Sequence, residues 1–185
     1  MDGWDVVGEI DPRIYQRSRI GSPNADLEWS GRKLSCGQEQ VANNKLNEVL
    51  IVNLVDRLPQ DQLVPFWREL YKACAPAAIV RLIGVYYTCL ADIQADPTRL
   101  RGLSEKMLLH LSSGGRKALL ADPLEDGVSV ALFHDIDFEP VRVIHIADPE
   151  WEARADEAKA WNRAHSLNVV RRMDATLVVH KPCRE

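Results

Sequence analysis

Two short apolar runs separated by an amphipathic segment dominate the middle of the chain. The runs Asn47–Asn53 and Ala78–Ile83 have the length and continuous hydrophobicity of strands that are covered on both faces. The segment between them predicts a helix over Gln60–Cys74, whose apolar residues fall on one stripe: Leu63, Phe66, Trp67, Leu70 and Cys74. A strand–helix–strand unit with so short a crossover predicts a parallel βαβ unit.

The flanking segments continue the alternation of strand and helix signals. The run Trp4–Ile10 is of the strand type, whereas residues 16–44 are rich in Ser, Gly, Asn and Arg and are predicted to be mostly irregular, with at most a short strand near Leu27–Trp29. The later predicted elements are helices over 86–95 and 103–111, a strand over 140–147, a helix from Pro149 to His165 capped by Asp148, and a closing strand over 168–180. The pattern predicts an α/β sheet with a modified edge.

Composition and charge exclude several classes of protein. The chain is 46% hydrophobic and 27% charged, as in ordinary globular proteins, and its net charge of −4 gives no overall basic field for nucleic acid or an anionic membrane. The longest apolar stretch, 73–91, contains Pro76 and Arg81, which does not fit a membrane span, and the acidic N-terminal residues do not fit a secretory signal. Four dispersed cysteines suggest neither a zinc site nor a disulfide framework. We expect a reduced, cytoplasmic protein.

Three sequence pieces in a fixed order carry a resemblance to a known family. They are "LVDRLPQ" (54–60), "RELYKACAPAA" (68–78) and "DPTR" (96–99). Together they resemble the second half of class I S-adenosylmethionine-dependent methyltransferases, of the type 11-like subgroup. The piece "NVVRRMDATLVVHKP" (168–182) looks like the last strand of that family, and "DGWDVVGEIDPR" (2–13) looks like its second strand.

The resemblance implies the fold and its organisation. It implies a truncated methyltransferase fold, Rossmann-like, with a mostly parallel central sheet, flanking helices and an antiparallel C-terminal edge strand. We expect a single domain over residues 1–185, in which 1–46 are degenerate and 47–185 match better. In the family the first strand lies centrally, between the second and the fourth. Its place here could be taken by the Trp4–Ile10 strand, by direct pairing of the neighbouring strands, or by a partner chain.

Several functional positions of the family are changed. Its glycine-rich cofactor loop has no counterpart in these residues, and such a loop works by letting backbone N–H groups approach the cofactor closely. The family's Glu-His pair stands as Asp56-Arg57, its Lys-Pro-Gly-Gly as Ala75–Ala78, and the His of its Asp-Pro-Thr-His element as Arg99. The hydrophobic positions keep the pattern. Such a sequence retains the fold and loses the chemistry.

The resemblance assigns cofactor-side roles to Glu9, Asp11, Asp56 and Arg57. Glu9 aligns with the acidic residue that binds the ribose hydroxyls, and a carboxylate can accept both hydrogen bonds of a vicinal diol. The alternatives are a solvated strand-end charge for Glu9, a turn role for Asp11 before a proline, and a solvated loop for Asp56 and Arg57. The last pair follows a strand's carboxyl end, where open α/β sheets bind ligands.

The substrate side is assigned by resemblance to Asp96, Thr98 and Arg99, with ordinary Asp-Pro turn chemistry as the alternative. His134 stands among alternating acidic residues, from Asp135 to Glu139, that could collect a divalent cation. Such alternation is also typical of a solvated strand face, and no metal site is predicted.

These observations favour a degenerate S-adenosylmethionine methyltransferase-like protein that serves as a non-catalytic structural or partner-binding subunit. The alternative is an active methyltransferase whose cofactor site is unconventional or completed by a partner. A small-molecule binder that reuses the pocket is a third hypothesis. We expect that the isolated chain does not bind S-adenosylmethionine, and that it associates with a protein partner or with itself. The basic residues at the C-terminus are too few for specific nucleic-acid binding.

Overall fold

The structure, a computed structural model, describes residues 19–22, 25–36, 39–123 and 127–183. The predicted strand Trp4–Ile10 and the candidate residues Glu9 and Asp11 lie outside the described residues. No described helix has the length and apolar character needed to cross a membrane.

The described strands form one eight-stranded mixed sheet in the order β4-β3-β2-β1-β5-β6-β8-β7. Their bounds are β1 Arg19–Ser22, β2 Ala25–Trp29, β3 Leu34–Cys36, β4 Glu39–Gln40, β5 Leu46–Val52, β6 Cys74–Val85, β7 Phe138–Ala147 and β8 Val170–Val179. The helices are α1 Gln60–Ala73, α2 Leu90–Ala95, α3 Glu105–Leu111, α4 Ser113–Leu120, α5 Gly127–Ala131, α6 Pro149–Glu152 and α7 Asp156–His165. The fold is α/β, as predicted.

The central unit matches the sequence prediction closely. β5 pairs in parallel with β6, with Val49 opposite Val80 and Ile51 opposite Leu82. α1 joins the two strands, and its buried residues include Phe66, Trp67 and Leu70. The predicted parallel strand–helix–strand unit is confirmed.

Parallel pairing is less extensive than predicted. Among the described strands, β5–β6 is the one parallel pair, and the other adjacent pairs are antiparallel. The difference arises because residues 16–44, predicted to be mostly irregular, contribute four short strands, and β1 pairs antiparallel with β5. These strands have two to five residues, too few for an apolar period to be visible in the sequence.

The C-terminal part of the sheet follows the prediction. β8 pairs antiparallel with β6, and β7 pairs antiparallel with β8 at the edge of the sheet. The side chain of Asp148 caps α6 as predicted, accepting a hydrogen bond from the Glu150 backbone N–H at 3.1 Å. The predicted long helix is instead two helices, because Ala155 has an extended backbone conformation that ends the helical path before α7. Trp161 on α7 is 62% exposed.

An aromatic cluster joins α1 to the sheet. Trp67 is fully buried and packs edge-to-face against Phe66 and Phe138, with ring centroids 5.5 Å and 5.3 Å away. Phe66 in turn contacts Trp29 of β2 at 5.3 Å. The helix therefore holds the N-terminal strands and β7 against one hydrophobic core.

Replacing Trp67 with alanine should lower the free energy of unfolding by about 3–5 kcal/mol, because it opens a large cavity in this cluster. Urea denaturation followed by circular dichroism measures the change. Trp161→Ala is the matched control and should cost much less, since that ring is mostly exposed. Equal losses for the two variants would contradict the packing described here.

Candidate functional site

The candidate site lies where β5 and β6 end. Because the two strands are parallel, their carboxyl ends meet at one edge of the sheet, and the antiparallel β8 begins there. We call this the carboxyl edge; it comprises residues 53–58, 86–88, 96–103 and 170–172. Asn53, at its centre, is buried and has a left-handed backbone with a φ of 49°, a conformation that asparagine tolerates better than most residues.

Five of the candidate residues meet in one hydrogen-bonded network. Arg99 Nη1 donates to Asp56 Oδ2 at 2.6 Å, and Arg57 Nη2 donates to Asp96 Oδ2 at 2.5 Å. Arg57 also donates to the Thr98 hydroxyl, which itself donates to Asp96 Oδ1 at 2.7 Å. A longer ion pair of 3.4 Å between Arg99 and Asp96 closes the network.

The carboxylate at the base of this network is buried. The side chain of Asp56 is fully covered and that of Arg99 is 8% exposed. Burial raises the pKa of Asp56 above its ordinary value, although the charges of Arg99 and Arg57 oppose the shift. Asp56 Oδ1 has no hydrogen-bond partner among the described atoms. Asp56 is therefore part of the protein interior, and the interpretation as a solvated loop residue does not describe it.

The second carboxylate has a different environment. Hydrogen bonds from the Thr98 hydroxyl and backbone N–H, together with the charge of Arg57, lower the pKa of Asp96 to about 2. The bond from the Thr98 N–H to Asp96 Oδ1, at 3.0 Å, is that of an Asp-initiated turn. The Asp-Pro turn chemistry considered as an alternative is present, and the same turn brings Asp96, Thr98 and Arg99 into the network with Asp56.

Close backbone contacts fix the segment that carries Arg99 against the strand ends. The Leu100 N–H donates to the Asp56 carbonyl at 2.8 Å, and the Leu103 N–H donates to the Val85 carbonyl at 2.7 Å. At Gly102 a Cβ atom would lie 2.3 Å from the Tyr87 Cα, so only glycine fits this approach.

Two further arginines at the carboxyl edge were not among the sequence candidates. Arg101 donates from Nη1 to the Leu58 carbonyl at 2.5 Å, and Arg172 donates from Nη1 to Asn53 Oδ1 at 2.9 Å. Arg172 lies at the start of β8, and an antiparallel last strand begins at the edge where its parallel neighbours end. That topology is the one signal in the sequence that indicates Arg172.

A second polar cluster at this edge was also missed. Glu105 accepts hydrogen bonds from the Tyr86 hydroxyl at 3.0 Å and makes a 2.6 Å contact with His145 Nε2. Burial alone would raise the pKa of Glu105, but hydrogen bonds from its own backbone, Tyr86 and His145 lower it. The three residues lie far apart in sequence and on different elements, so no local motif indicates them.

The acidic residues after His134 do not converge. Asp135 pairs with Arg68 at 2.8 Å, and Asp137 accepts hydrogen bonds from the backbone and hydroxyl of Ser113 at 2.9 Å and 3.0 Å. Glu139 pairs with His180 at 2.6 Å. Within the described part of the chain, no group of three or more His, Cys, Asp or Glu residues is arranged to hold a metal ion.

No protein-family model matches the chain, and no curated protein matches its sequence. Three of the solved structures that are similar to it each have a TM-score below 0.5. A SAM-dependent methyltransferase from Archaeoglobus fulgidus is 14% identical with a TM-score of 0.44, over 75% of this chain and 61% of that chain. The YcgJ protein from Bacillus subtilis is 8% identical with a TM-score of 0.43, over 76% and 66%.

The third structure is CrArsM, an arsenic(III) S-adenosylmethionine methyltransferase from Chlamydomonas reinhardtii. It is 13% identical with a TM-score of 0.32, over 76% of this chain and 39% of that chain. The chain thus spans less than two thirds of the length of each structure. In this chain the parallel β5–β6 pair is followed by the antiparallel β8 and β7.

Replacing Arg99 with methionine should lower the free energy of unfolding by about 3–5 kcal/mol, because it leaves the buried Asp56 carboxylate without its ion-pair partner. Chemical denaturation measures this. Adding Asp56→Asn should recover part of the loss and give a coupling energy of about 0.5–3 kcal/mol in a double-mutant cycle. Arg68→Met is the control: it removes an exposed pair and should cost about 1 kcal/mol or less. Strictly additive effects of Arg99→Met and Asp56→Asn would show that the two side chains are not coupled.

The stability contributed by Asp96 should depend on pH. Its folded-state pKa, about 2, lies below its ordinary value of 3.8. The contribution is therefore present above pH 3.8 and lost as the pH falls towards 2. Urea unfolding of wild type and Asp96→Asn should give a larger difference at pH 6 than at pH 2.5. Asp56 is present in both proteins, so the opposite pH trend that it causes cancels in the comparison. A difference in the free energy of unfolding that does not change with pH would contradict the hydrogen-bonded network.

Proposed function

We propose that this chain is a methyltransferase-like protein that does not bind S-adenosylmethionine on its own and acts as a structural or partner-binding subunit. One observation carries the proposal. The carboxyl edge, where open α/β sheets bind their ligands, is lined by an ion-paired network of the protein's own side chains. Arg99 is nearly buried in it and reaches the Asp56 carboxylate directly.

The charge of the network supports the same conclusion. S-adenosylmethionine carries a sulfonium in addition to its zwitterionic amino-acid end, so its net charge is positive. Arg57, Arg99 and Arg172 all act on Asp56 at this edge and would repel such a cofactor. Displacing Arg99 would also leave Asp56 buried without its partner.

A second candidate function is an active methyltransferase whose cofactor site is unconventional or completed by a partner chain. The cluster of Tyr86, Glu105 and His145 favours it. A carboxylate that orients an imidazole is an arrangement used in general acid–base catalysis, and this one lies next to the carboxyl end of β6.

Calorimetric titration with S-adenosylmethionine and S-adenosylhomocysteine distinguishes the two functions. We expect no saturable heat from the isolated chain at micromolar concentrations and no rise in its melting temperature. A bound cofactor at 100 times its Kd would stabilise the chain by about 2.7 kcal/mol, which thermal unfolding detects easily.

The control for this titration uses Glu9, the residue assigned to the ribose by resemblance. Stoichiometric binding that disappears in Glu9→Ala would overturn the proposal and support the active enzyme. Size-exclusion chromatography with light scattering tests self-association separately. If the chain is a monomer at all concentrations, the partner in this proposal must be a different protein.

A further inference from the structure

Four guanidinium groups act on the buried Asp56 carboxylate, and that of Arg99 contacts it directly at 2.6 Å. They belong to Arg57, Arg99, Arg101 and Arg172, and each interacts electrostatically with Asp56. We call these four residues the arginine cluster. They lie on three separate segments: the turn after β5, the loop after α2, and the start of β8. The tertiary fold brings the four charges together. They do not come from one basic stretch of the sequence.

The arginine cluster is positively charged within an acidic protein. Two carboxylates, those of Asp56 and Asp96, pair with arginines of this four-residue cluster. The whole chain, in contrast, has a net charge of −4. Asp92, which lies nearby, is paired with Arg171 at 3.0 Å. The local excess of positive charge is therefore a feature of this edge and does not reflect the composition of the chain.

Like charges in the arginine cluster lie close together away from bulk water. Burial lowers the pKa of Arg172, and the neighbouring charge of Arg99 lowers it further. Holding two guanidinium groups together in a partly buried place costs free energy. An anion placed between them would remove that cost.

Polar atoms at this edge have unused hydrogen-bonding capacity. Arg57 Nε and Thr88 Oγ1 are buried and, like Asp56 Oδ1, have no hydrogen-bond partner among the described atoms. An N–H and a hydroxyl both donate to anionic oxygens. Buried polar groups without partners are rare in proteins, and an anion bound at this edge would satisfy the Arg57 and Thr88 donors.

Apolar surface lies beside the arginine cluster. Tyr87 is 50% exposed and Leu100 is 55% exposed. The backbone of Tyr87 is in contact with Gly102, and the Leu100 N–H donates to the Asp56 carbonyl, so both residues border the cluster. A ligand held here would have an anionic group next to an apolar or aromatic body.

We propose that the arginine cluster binds a small organic anion, with a phosphate or carboxylate group held by Arg57, Arg99 and Arg172 and an apolar body against Tyr87. This site deepens the proposed function and rests on it, because it takes the same edge that S-adenosylmethionine would need. Guanidinium groups match both phosphate and carboxylate oxygens with paired N–H donors.

Thermal unfolding of the full chain with four probes tests the site. Phenyl phosphate and benzoate carry the two anionic groups on an aromatic body, and inorganic phosphate and acetate carry them without it. Sodium chloride at matched ionic strength is the reference. We expect phenyl phosphate or benzoate to raise the melting temperature saturably, by roughly 5–10 °C at 100 times its Kd. The better of the two identifies the anionic group.

Arginine-to-glutamine variants locate the binding. Arg57→Gln and Arg172→Gln should each weaken binding of the best probe at least tenfold, and Arg68→Gln, at an exposed pair away from the cluster, should leave it unchanged. Far-UV circular dichroism checks folding, and if Arg172→Gln does not fold, Arg57→Gln decides. No stabilisation beyond sodium chloride with any probe would overturn the site, as would full stabilisation of both folded variants.

A parallel titration with S-adenosylmethionine separates this inference from the proposed function. Stabilisation by S-adenosylmethionine overturns the proposed function and this inference with it. Absence of stabilisation by either S-adenosylmethionine or the anionic probes overturns the anion site alone.

Discussion

Parallel pairing of β5 with β6 is the constraint on which the rest of the described structure depends. It requires a crossover, which α1 supplies, and α1 brings the aromatic cluster around Trp67 that covers one face of the sheet. It also directs both strand ends to one edge, so that Asp56 and the loop carrying Arg99 meet there. The antiparallel return of β8 adds Arg172 to the same place. The core and the candidate site are therefore consequences of one strand arrangement.

The parts of the fold that the sequence could predict are those with a long, regular pattern. The runs that became β5, β6 and β8 are mostly apolar and mostly buried, and α1 shows a clear helical stripe. Among the short N-terminal strands, β2 corresponds to the short strand predicted near Leu27–Trp29. β1, β3 and β4 could not be predicted because each has four residues or fewer, and their pairing depends on hairpin geometry and on the free edge of β5. The break between α6 and α7 was missed for a similar reason, since neither Gly nor Pro marks it.

For the site, position could be predicted but partners could not. That Asp56 and Arg57 follow a buried strand was enough to place them at the carboxyl edge of the sheet. Which carboxylate each arginine pairs with depends on the course of the loop after α2. No local sequence pattern predicts that course. Long-range contacts such as Asn53 with Arg172 or Glu105 with His145 join residues on separate elements. They follow from the topology and from no local motif.

The positions that differ from the family pattern contact one another in the structure. Asp56, Arg57 and Arg99 each differ from the pattern that the sequence resembles, and in the structure Arg99 pairs with Asp56 while Arg57 pairs with Asp96. Independent decay of an unused site would leave charges without partners, and burying such charges is costly. A buried ion pair is also seldom the most stable way to fill an interior, since apolar side chains of similar size often do as well or better. Stability alone therefore does not account for four arginines around one buried carboxylate. A network whose charges are paired and that still carries excess positive charge fits the anion site proposed above.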